Sequence, residues 1–393
     1  MKYRLSFRIL IATSSFLGII IGIINNNFYH DSLIEQLKNE SIINETKNEN
    51  NKEKENNKEN DNKYNNFTNE KEENQEEEDN IEYDENRSKK NIGNKLRIPV
   101  SYALDNRYLY PTLVAMVSLV ENAGPNTFYD IYVLLSPDFK NENKIVLKSV
   151  EKNHYEICSV ILIGMGNKYK KEKTDKRIPT PTYYRLDLQN LLPEVDRIIY
   201  MDGDTMVFED LSPLISLDMK GNYYLGFLDS VPDAIKSFGI KDAIVINAGV
   251  LLIDLNALRI NNITEKFNLF MEENRDNIPQ HDQTIINVVC QDHISTLPIK
   301  YGIWGFESKV YLLEHNKKQR PFLKYNEKEL IEAYQHPAII HWVWPKPFWR
   351  NRRTVFYDKW WGYAKISGYY NDIYNKSPKP SRLLMEIMKR YKY

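Results

Sequence analysis

From residue 96 onward, short apolar runs alternate with stretches of helical spacing, and this alternation limits the fold more than any other feature of the chain. Residues 98–104, 157–163 and 197–201 resemble strands that are buried on both faces of a parallel sheet. Residues 108–122 and 144–153 have the apolar spacing of helices. The pattern predicts a single α/β domain with a mixed, mostly parallel central sheet. Further strands are predicted at residues 129–135 and 245–254, and further helices at 182–191, 265–274 and 282–289.

The first 27 residues have the pattern of a membrane anchor. Lys2, Arg4 and Arg8 precede an uncharged run of sixteen residues at positions 9–24. This run is shorter than the roughly 20 residues that cross a bilayer, but residues 5–7 extend it if Arg8 snorkels toward the headgroups. No small-x-small cleavage site is evident. We expect a single-pass type II membrane protein with a cytosolic tail (1–8) and an anchor (9–27), and with the rest of the chain in the lumen, in the Golgi if the source is eukaryotic.

Residues 28–95 are predicted to form a disordered stem. Of the 46 residues from Glu45 to Lys90, 25 are charged and 13 are Asn. Such a segment cannot bury enough apolar surface to offset the entropy that ordering costs. Its 16 acidic and 9 basic residues give a charge of −7, which leaves +6 for the rest of a chain whose total is −1.

The composition also excludes several classes of protein. Lys plus Arg total 53 and Asp plus Glu total 54, whereas a general nucleic-acid binder needs a basic face to meet phosphates. We therefore expect no nucleic-acid partner. Cys158 and Cys290 are too few for a disulfide scaffold or a thiolate metal site. They either form one bridge or lie in the core as small residues, and no feature indicates the oligomeric state.

Two carboxylates follow a predicted buried strand at Asp202-Gly203-Asp204. Ligands of α/β sheets bind beyond the carboxyl ends of the strands, and residues i and i+2 of an extended segment point the same way. Asp202 and Asp204 are therefore candidate ligands for Mg²⁺ or Mn²⁺, and Gly203 leaves room for a ligand to approach the backbone. The alternative is the aspartyl nucleophile of haloacid dehalogenase-type phosphatases (D-x-D-x-T), but Thr205 comes one residue too early for that motif.

A second polar group follows the apolar residues 338–340. His341 is a candidate third metal ligand, and its nitrogen favours Mn²⁺ over Mg²⁺. The alternative is a His that only packs and forms hydrogen bonds. Lys346 stands between two prolines and is a candidate phosphate contact, with a solvated loop lysine as the alternative.

Together these residues resemble glycosyltransferase family 8, the group of glycogenin and the bacterial lipopolysaccharide galactosyltransferases, over residues 98–348. The matching blocks follow the family's order, at residues 103–108, 182–186, 202–204, 247–251, 281–283 and 341–346. The resemblance implies a GT-A-like, Rossmann-type catalytic domain at 96–350 and Mn²⁺ as cofactor, with Mg²⁺ possible. It also implies retaining transfer of a hexose-type sugar from a UDP-sugar to a glycan, glycolipid or glycoprotein acceptor.

The resemblance implies roles for individual residues on the donor side. Asp105 would accept hydrogen bonds from uracil, and Tyr108 would stack on it. The alternative for both Asp105 and Asp282 is capping of a helix N-terminus. The implied set for binding the nucleotide sugar is Ala103, Asp105, Tyr108, Arg185, Asp202, Gly203, Asn247, Ala248 and Lys346.

The implied catalytic set is Asp229, Asp282, Gln283 and Lys346. Asp282 and Asn247 would hold sugar hydroxyls, and Asp229 would also face the sugar. An ion on Asp202, Asp204 and His341, with Lys346 alongside, would stabilise the charge that builds on the leaving nucleotide. Retention requires either a nucleophile or same-face attack. Gln283 occupies the place of the family's candidate, but an amide is a poor nucleophile, so both routes stay open.

The chain departs from the family pattern at three positions: Arg107 replaces an Asn, Trp344 a Gly and Phe348 a Trp. The C-terminal extension (351–393) is rich in aromatic and basic residues, which either bind acceptor or membrane surface or pack the terminal helices. Two other functions remain open. One is a non-catalytic relative that binds nucleotide sugars. The other is a metal-dependent nucleotidyltransferase, which would want a Gly-rich loop after the first strand, and residues 105–111 contain no Gly.

Overall fold

The computed structural model describes residues 82–83, 92–172, 174, 179–229, 238, 244–275, 277–305, 325–343, 346–349 and 354–377. All of them lie in one unit that spans residues 76–393. The predicted tail (1–8) and anchor (9–27) fall outside the described residues, as does the predicted stem except for 82–83 and 92–95. Among the helices that are described, none has both the length and the apolar character needed to cross a membrane.

A central sheet of eight strands forms the middle of the described fold. In spatial order the strands are β1 (Glu82–Tyr83), β4 (Cys158–Gly164), β3 (Thr127–Leu135), β2 (Leu96–Leu104), β5 (Arg197–Met201), β8 (Ile246–Asp254), β7 (Tyr224–Leu228) and β9 (Ile294–Thr296). Strands β4, β3, β2 and β5 run parallel, whereas β8 is antiparallel to both of its neighbours. The predicted mixed, mostly parallel sheet is confirmed, and the predicted strands match the observed ones to within two residues at each end.

Helices cover the sheet and explain why its strands are so apolar. They are α1 (Leu109–Glu121), α2 (Asn141–Asn153), α3 (Leu188–Leu191), α4 (Ser212–Ile215), α5 (Leu255–Ile260), α6 (Ile263–Asn274), α7 (Asp282–Val289), α8 (Glu327–Gln335), α9 (Tyr357–Ile366) and α10 (Tyr370–Lys376). Strand β3 is buried along all nine of its residues. Cys158 and Cys290 are both buried and no disulfide joins them, so the disulfide alternative is wrong.

The segment predicted as one helix at 182–191 has a different local geometry. Residues Thr180–Asp187 form a 3-10 helix, and only Leu188–Leu191 is α-helical. Six of the eight residues in the 3-10 helix are buried. Contacts on several sides therefore set this conformation, rather than the single apolar face that an amphipathic α-helix presents.

Strand β1 lies inside the segment predicted to be a disordered stem. Glu82 pairs with Gly164 and Tyr83 with Ile163, at the edge of the sheet. The predicted disorder therefore does not extend over these two residues.

A second sheet places a distant part of the chain beside the Asp202-Gly203-Asp204 segment. It consists of β10 (Ile303–Trp304), β11 (Ile339–His341) and β6 (Thr205–Val207). β6 begins directly after Asp204, and its pairing with β11 sets His341 opposite Thr205. Backbone pairing thus brings His341 to the carboxylates.

The described part of the C-terminal extension packs against α1. Trp360 is fully buried, in one apolar cluster with Trp342 and Phe348. The Asn122 side chain donates a hydrogen bond of 2.7 Å to the Tyr363 hydroxyl. Trp360 and Trp361 therefore pack the core, as the structural alternative predicts.

Gly203 lies against helix α1. A Cβ at this position would overlap Thr112 Oγ1 and would lie 3.3 Å from Tyr108 Cδ1. From the sequence we expected the missing side chain to make room for a ligand. In the structure it makes room for Thr112, whose hydroxyl is buried and has no hydrogen-bond partner among the described residues.

We predict that Gly203→Ala lowers the free energy of unfolding by about 1–3 kcal/mol, because the methyl group overpacks the contact with Thr112. In a protein that already carries Thr112→Ala, Gly203→Ala should lower the free energy of unfolding only slightly further. Urea unfolding of the four proteins measures this cycle. Gly362→Ala is the control, because a Cβ there meets no atom within 4 Å. Equal losses from Gly203→Ala in both backgrounds would contradict the packing argument.

Candidate active site

Asp202, Asp204 and His341 form a cluster with the composition of a metal site. One ligand atom from each residue can be chosen so that all three lie within 4.8 Å of one another. His341 Nε2 is 3.2 Å from Asp204 Oδ1 and 3.6 Å from Asp202 Oδ2. Asp204 Oδ1 is buried, and its contact with His341 Nε2 does not have the geometry of a hydrogen bond, so no hydrogen bond from the described residues reaches it. Two carboxylates, an imidazole and an unsatisfied buried oxygen fit a divalent cation of the Mg²⁺ or Mn²⁺ type.

Backbone hydrogen bonds hold this cluster in place. The Asp202 amide donates to Gly249 O at 2.8 Å, and the Trp342 amide donates to Asp204 O at 3.0 Å. The segment that carries both carboxylates is thus tied to β8 on one side and to the residue after His341 on the other. These bonds fix the position of the carboxylates before any ligand binds.

Gly249 on β8 allows the close approach of two of these ligands. A Cβ on residue 249 would lie 2.7 Å from His341 Nδ1 and 2.8 Å from Asp202 Oδ2. Any side chain there would push His341 and Asp202 apart. Gly249 is therefore a steric requirement of the cluster, although the sequence pattern singled out only its neighbours Asn247 and Ala248.

Lys346 forms an ion pair with Asp204 Oδ2. Its ammonium also lies 5.6 Å from the centre of the Tyr108 ring. Burial raises the pKa of Asp204, but Lys346 and His341 lower it more, so that the pKa lies well below its usual range. Burial lowers the pKa of Lys346, and Asp204 and Tyr108 raise it more, to above its usual range. Both groups are therefore charged at neutral pH.

Arg185 lies in the interior, where its side chain is 4% exposed. Its Nη2 donates to Asp202 Oδ1 at 2.9 Å, and its Nε lies 2.9 Å from Asp282 Oδ2. The Nη1 group donates to Ala248 O, and Nε also donates to Thr182 O at 3.0 Å. The sequence suggested a donor-binding arginine, whereas the described residues give its guanidinium four hydrogen-bond or ion-pair partners, which connect the candidate metal ligand Asp202 to Asp282.

Asn247, Gln283 and Asp229 form a polar group at the junction of β8, β7 and α7. Gln283 Nε2 donates to Asp229 Oδ2 at 3.0 Å, and Gln283 Oε1 accepts from the Ala248 amide at 3.1 Å. Asn247 Nδ2 also donates to Gln283 Oε1, at 3.2 Å. Asp229 Oδ1 is buried without a hydrogen-bond donor among the described residues. The group thus retains one acceptor for an incoming hydroxyl.

The capping alternative holds for Asp105 but not for Asp282. The Asp105 carboxylate accepts hydrogen bonds from the Arg107 and Tyr108 amides and caps the 3-10 helix Asn106–Tyr108. The Arg107 guanidinium also pairs with Asp105 Oδ2 at 2.8 Å. Asp282 is instead the first residue of α7, where its carboxylate binds Thr182 and Arg185. Burial raises the pKa of Asp282, although Arg185 and Thr182 act in the opposite direction.

Three of the predicted nucleotide-binding residues lie on β2 or shortly after it. Ala103 is half-buried on β2, opposite Leu134 of β3, and Asp105 follows the end of the same strand. Tyr108 comes three residues later and reaches Lys346. Trp344, the departure beside this lysine, lies outside the described residues. The contact between Tyr108 and Lys346 therefore connects the predicted donor-binding residues that follow β2 with the one that follows β11.

Sequence reasoning missed two polar partners of these residues. The Tyr200 hydroxyl donates to Asp202 Oδ1 at 3.1 Å. The Thr182 hydroxyl donates to Asp282 Oδ1. Tyr200 could have been found, because residues i and i+2 of a strand face the same side and Tyr200 precedes Asp202 by two. Thr182 gave no such signal, since its partner lies 100 positions later in the chain.

Comparison with known proteins places this arrangement in a family. The sequence model of "Glycosyl transferase family 8" matches residues 99–352. The chain is similar to general stress protein A of Bacillus subtilis, with 28% identity over 258 residues, which are 64% of this chain and 87% of that protein. It is also similar to a lipopolysaccharide 1,2-glucosyltransferase of Escherichia coli, with 24% identity over 290 residues, which are 71% of this chain and 78% of that protein.

Solved structures show the same fold. The galactosyltransferase LgtC, crystallised in complex with donor and acceptor sugar analogues, superposes with a TM-score of 0.58 at 21% identity, over 69% of this chain and 95% of LgtC. An active-site mutant of LgtC gives a TM-score of 0.59 at 22% identity, over 68% and 96% of the two chains. Because the family model covers most of the chain, the chain belongs to glycosyltransferase family 8 and is a glycosyltransferase with a GT-A-like α/β fold.

Proposed function

We propose that this enzyme transfers a hexose-type sugar from a UDP-sugar to a glycan, glycolipid or glycoprotein acceptor, with Mn²⁺ as its metal and with retention at the anomeric carbon. The observation that carries the proposal is the cluster of Asp202, Asp204 and His341, with Lys346 bound to one of its carboxylates. Carboxylates suit both Mg²⁺ and Mn²⁺, and the imidazole tilts the preference toward Mn²⁺. The glucosyl and galactosyl transfer named for the relatives supports a hexose donor.

The uridine end of the donor is proposed to lie near Asp105 and Tyr108. Asp105 is already engaged by Arg107 and by two backbone amides. The Asp105 oxygens would accept hydrogen bonds from uracil, either in addition to these contacts or in place of the exposed contact with Arg107. Tyr108 follows Asp105 by three residues and its ring centre lies 5.6 Å from the Lys346 ammonium, which supports a nucleotide whose diphosphate faces the metal cluster.

The leaving group is proposed to depart toward a region of positive charge. A bound divalent ion would supply charge that stabilises the diphosphate as the bond to the sugar breaks. Lys346 adds an ammonium that stays protonated at neutral pH. Because negative charge on the diphosphate grows toward the transition state, this ammonium stabilises the transition state more than the ground state.

The sugar is proposed to bind against Asp229, Asn247 and Asp282. Gln283 Oε1 already accepts two hydrogen bonds, from Asn247 and from the Ala248 amide. Both of its lone pairs are then engaged, which further weakens an amide that is a poor nucleophile to begin with. This occupancy favours same-face attack by the acceptor over a covalent intermediate on Gln283. Asp229 Oδ1, which lacks a donor among the described residues, is the group proposed to accept a hydrogen bond from a sugar hydroxyl.

We predict that a panel of UDP-sugars with Mn²⁺ identifies a donor for transfer to simple glycans, and that Asp202→Ala and Asp204→Ala each abolish this activity while the fold survives. Each variant removes a carboxylate that would bind the divalent ion beside the diphosphate. Such a loss lowers the rate about a hundredfold or more. Product formation and thermal unfolding are measured side by side. Asp292→Ala, an exposed carboxylate, is the control. Mn²⁺-dependent turnover at the wild-type rate in either variant would contradict the assignment.

We predict two separate effects for Lys346→Ala. With donor and Mn²⁺, kcat should fall about a hundredfold and by more than KM rises, because the ammonium acts mainly in the transition state. Without nucleotide, the protein should bind Mn²⁺ more tightly, because the ammonium no longer occupies Asp204 Oδ2. Kinetics and titration with Mn²⁺ alone measure these effects. Lys300→Ala is the control, since Lys300 pairs with Glu209 instead. An unchanged kcat would show that Lys346 is only a loop charge.

We further propose that residues 9–27 anchor the enzyme as a single-pass type II membrane protein, with the catalytic domain in the Golgi lumen of a eukaryotic source. The support is the basic flank and the uncharged run of the sequence. In sealed microsomes that carry the full chain, the catalytic domain should resist added protease until detergent is present. Digestion before detergent is added would contradict this orientation.

A further inference from the structure

The residue before Asp282 has an unusual backbone conformation. His281 has φ 50° and ψ −127°, and it is 8% exposed. The Gln283 amide donates to Gln280 O at 3.1 Å, which closes a four-residue turn with His281 at its second position. These dihedral angles are those of a type II′ turn, which favours glycine at that position. A histidine there carries strain, and such strain persists only where surrounding contacts enforce it.

The contact that holds His281 comes from Tyr183. The Tyr183 hydroxyl lies 3.1 Å from His281 Nδ1, in a buried hydrogen bond whose donor depends on the imidazole tautomer. Tyr183 itself is 1% exposed, and its ring stacks on Tyr169 at 5.8 Å with an interplanar angle of 16°. Tyr183 thus belongs to a well-packed core. It lies on the same 3-10 helix as Arg185, which binds Asp282.

The strained turn determines the positions of Asp282 and Gln283 at the start of α7. His281 O accepts a hydrogen bond from the Ile285 amide at 3.2 Å, so the turn is also the start of α7. The turn places Asp282 beside Arg185 and places Gln283 toward Asp229. Gln280 contributes a further contact, since Gln283 Nε2 lies 3.3 Å from Gln280 Oε1 and donates to it. A change in the backbone at 281 would therefore move both Asp282 and Gln283.

We infer that Tyr183 and His281 are positioning residues for the sugar half of the site: their hydrogen bond holds the strained turn that aims Asp282 and Gln283 at the donor sugar. Neither residue touches the cluster of Asp202, Asp204 and His341 among the described contacts. The inference rests on the proposed function for the identity of the ligand. Loss of the hydrogen bond between Tyr183 and His281 should weaken binding of the sugar and leave the binding of UDP itself unaffected.

Tyr183→Phe removes the hydroxyl and keeps the ring. We expect it to weaken binding of the UDP-sugar chosen by the donor panel about tenfold and to lower kcat, while the affinity for UDP with Mn²⁺ stays within about twofold. Tyr224→Phe is the matched control, because Tyr224 is buried in the same core cluster and its hydroxyl has no hydrogen-bond partner among the described residues. Equal weakening of UDP and UDP-sugar, together with a lower unfolding temperature, would mean a purely structural role and would overturn the inference.

His281→Ala and His281→Gly separate strain from hydrogen bonding. Both lose the imidazole, but glycine adopts a positive φ at little cost and alanine does not. We expect the glycine variant to unfold about 2–4 °C higher than the alanine variant. Both should lose discrimination between UDP-sugar and UDP. An alanine variant as stable as the glycine variant would show that the turn is unstrained and would count against the inference.

Amide hydrogen exchange tests the same inference without any donor. In Tyr183→Phe, the Gln283 amide, which closes the turn, should exchange at least tenfold faster than in the wild type. The Cys290 amide, which bonds to Ile286 O at the other end of α7, should be unchanged. Wild-type exchange at Gln283 would overturn the inference. If the wild type binds no UDP-sugar, the proposed function fails, and the exchange measurement still decides whether Tyr183 holds the turn.

Discussion

The Arg185 guanidinium is buried between the carboxylates of Asp202 and Asp282, and the arrangement of the site depends on this pair of contacts. A buried cation is tolerable only when it is paired and its N–H groups are satisfied, which Ala248 O and Thr182 O help to achieve here. Removing the cation would leave two carboxylates close together without compensation, at a typical cost of about 3–5 kcal/mol. Arg185 therefore sets the separation between the cluster of Asp202, Asp204 and His341 and the carboxylate of Asp282, and it does so from within the protein.

The cluster of Asp202, Asp204 and His341 depends equally on strand pairing. The chain leaves the central sheet at Met201 and enters the small sheet at Thr205, so the three residues between them are held at both ends. β11 then sets His341 against this segment from a position more than 130 residues later. Gly249 provides the space that His341 and Asp202 share. The cluster is thus a consequence of two sheets meeting at one segment, and its geometry does not rely on a flexible loop.

Much of this was predictable from the sequence. Five strands of the central sheet (β2, β3, β4, β5 and β8) are long apolar runs, so the sequence predicted them directly, and the ordered blocks predicted which polar residues would gather at the strand ends. The short strand β1 was instead predicted to lie in a disordered stem. The features that the sequence did not predict share a cause. The 3-10 helix Thr180–Asp187, the contact of Gly203 with Thr112 and the bond from Thr182 to Asp282 all depend on neighbours that are distant in the chain. Tertiary packing sets such details, and no local pattern encodes them. The capping role of Asp105 was recognisable, because its partners are only two and three residues away.

The two cations of the site hold their carboxylates in different ways, and this difference bears on how the site works. Arg185 has four protein partners and is almost completely buried, so its contacts do not change without disrupting the core. Among the described residues Lys346 has one carboxylate partner, Asp204, and its side chain is 13% exposed. In the sequence it stands between Pro345 and Pro347. A divalent ion held by Asp202, Asp204 and His341 would supply further positive charge beside this ammonium. Under the proposed function, a bound diphosphate would meet both charges, while Arg185 keeps Asp202 and Asp282 in place. Arg185 therefore preserves the geometry of the site, and Lys346 is the cation that would stabilise the leaving group.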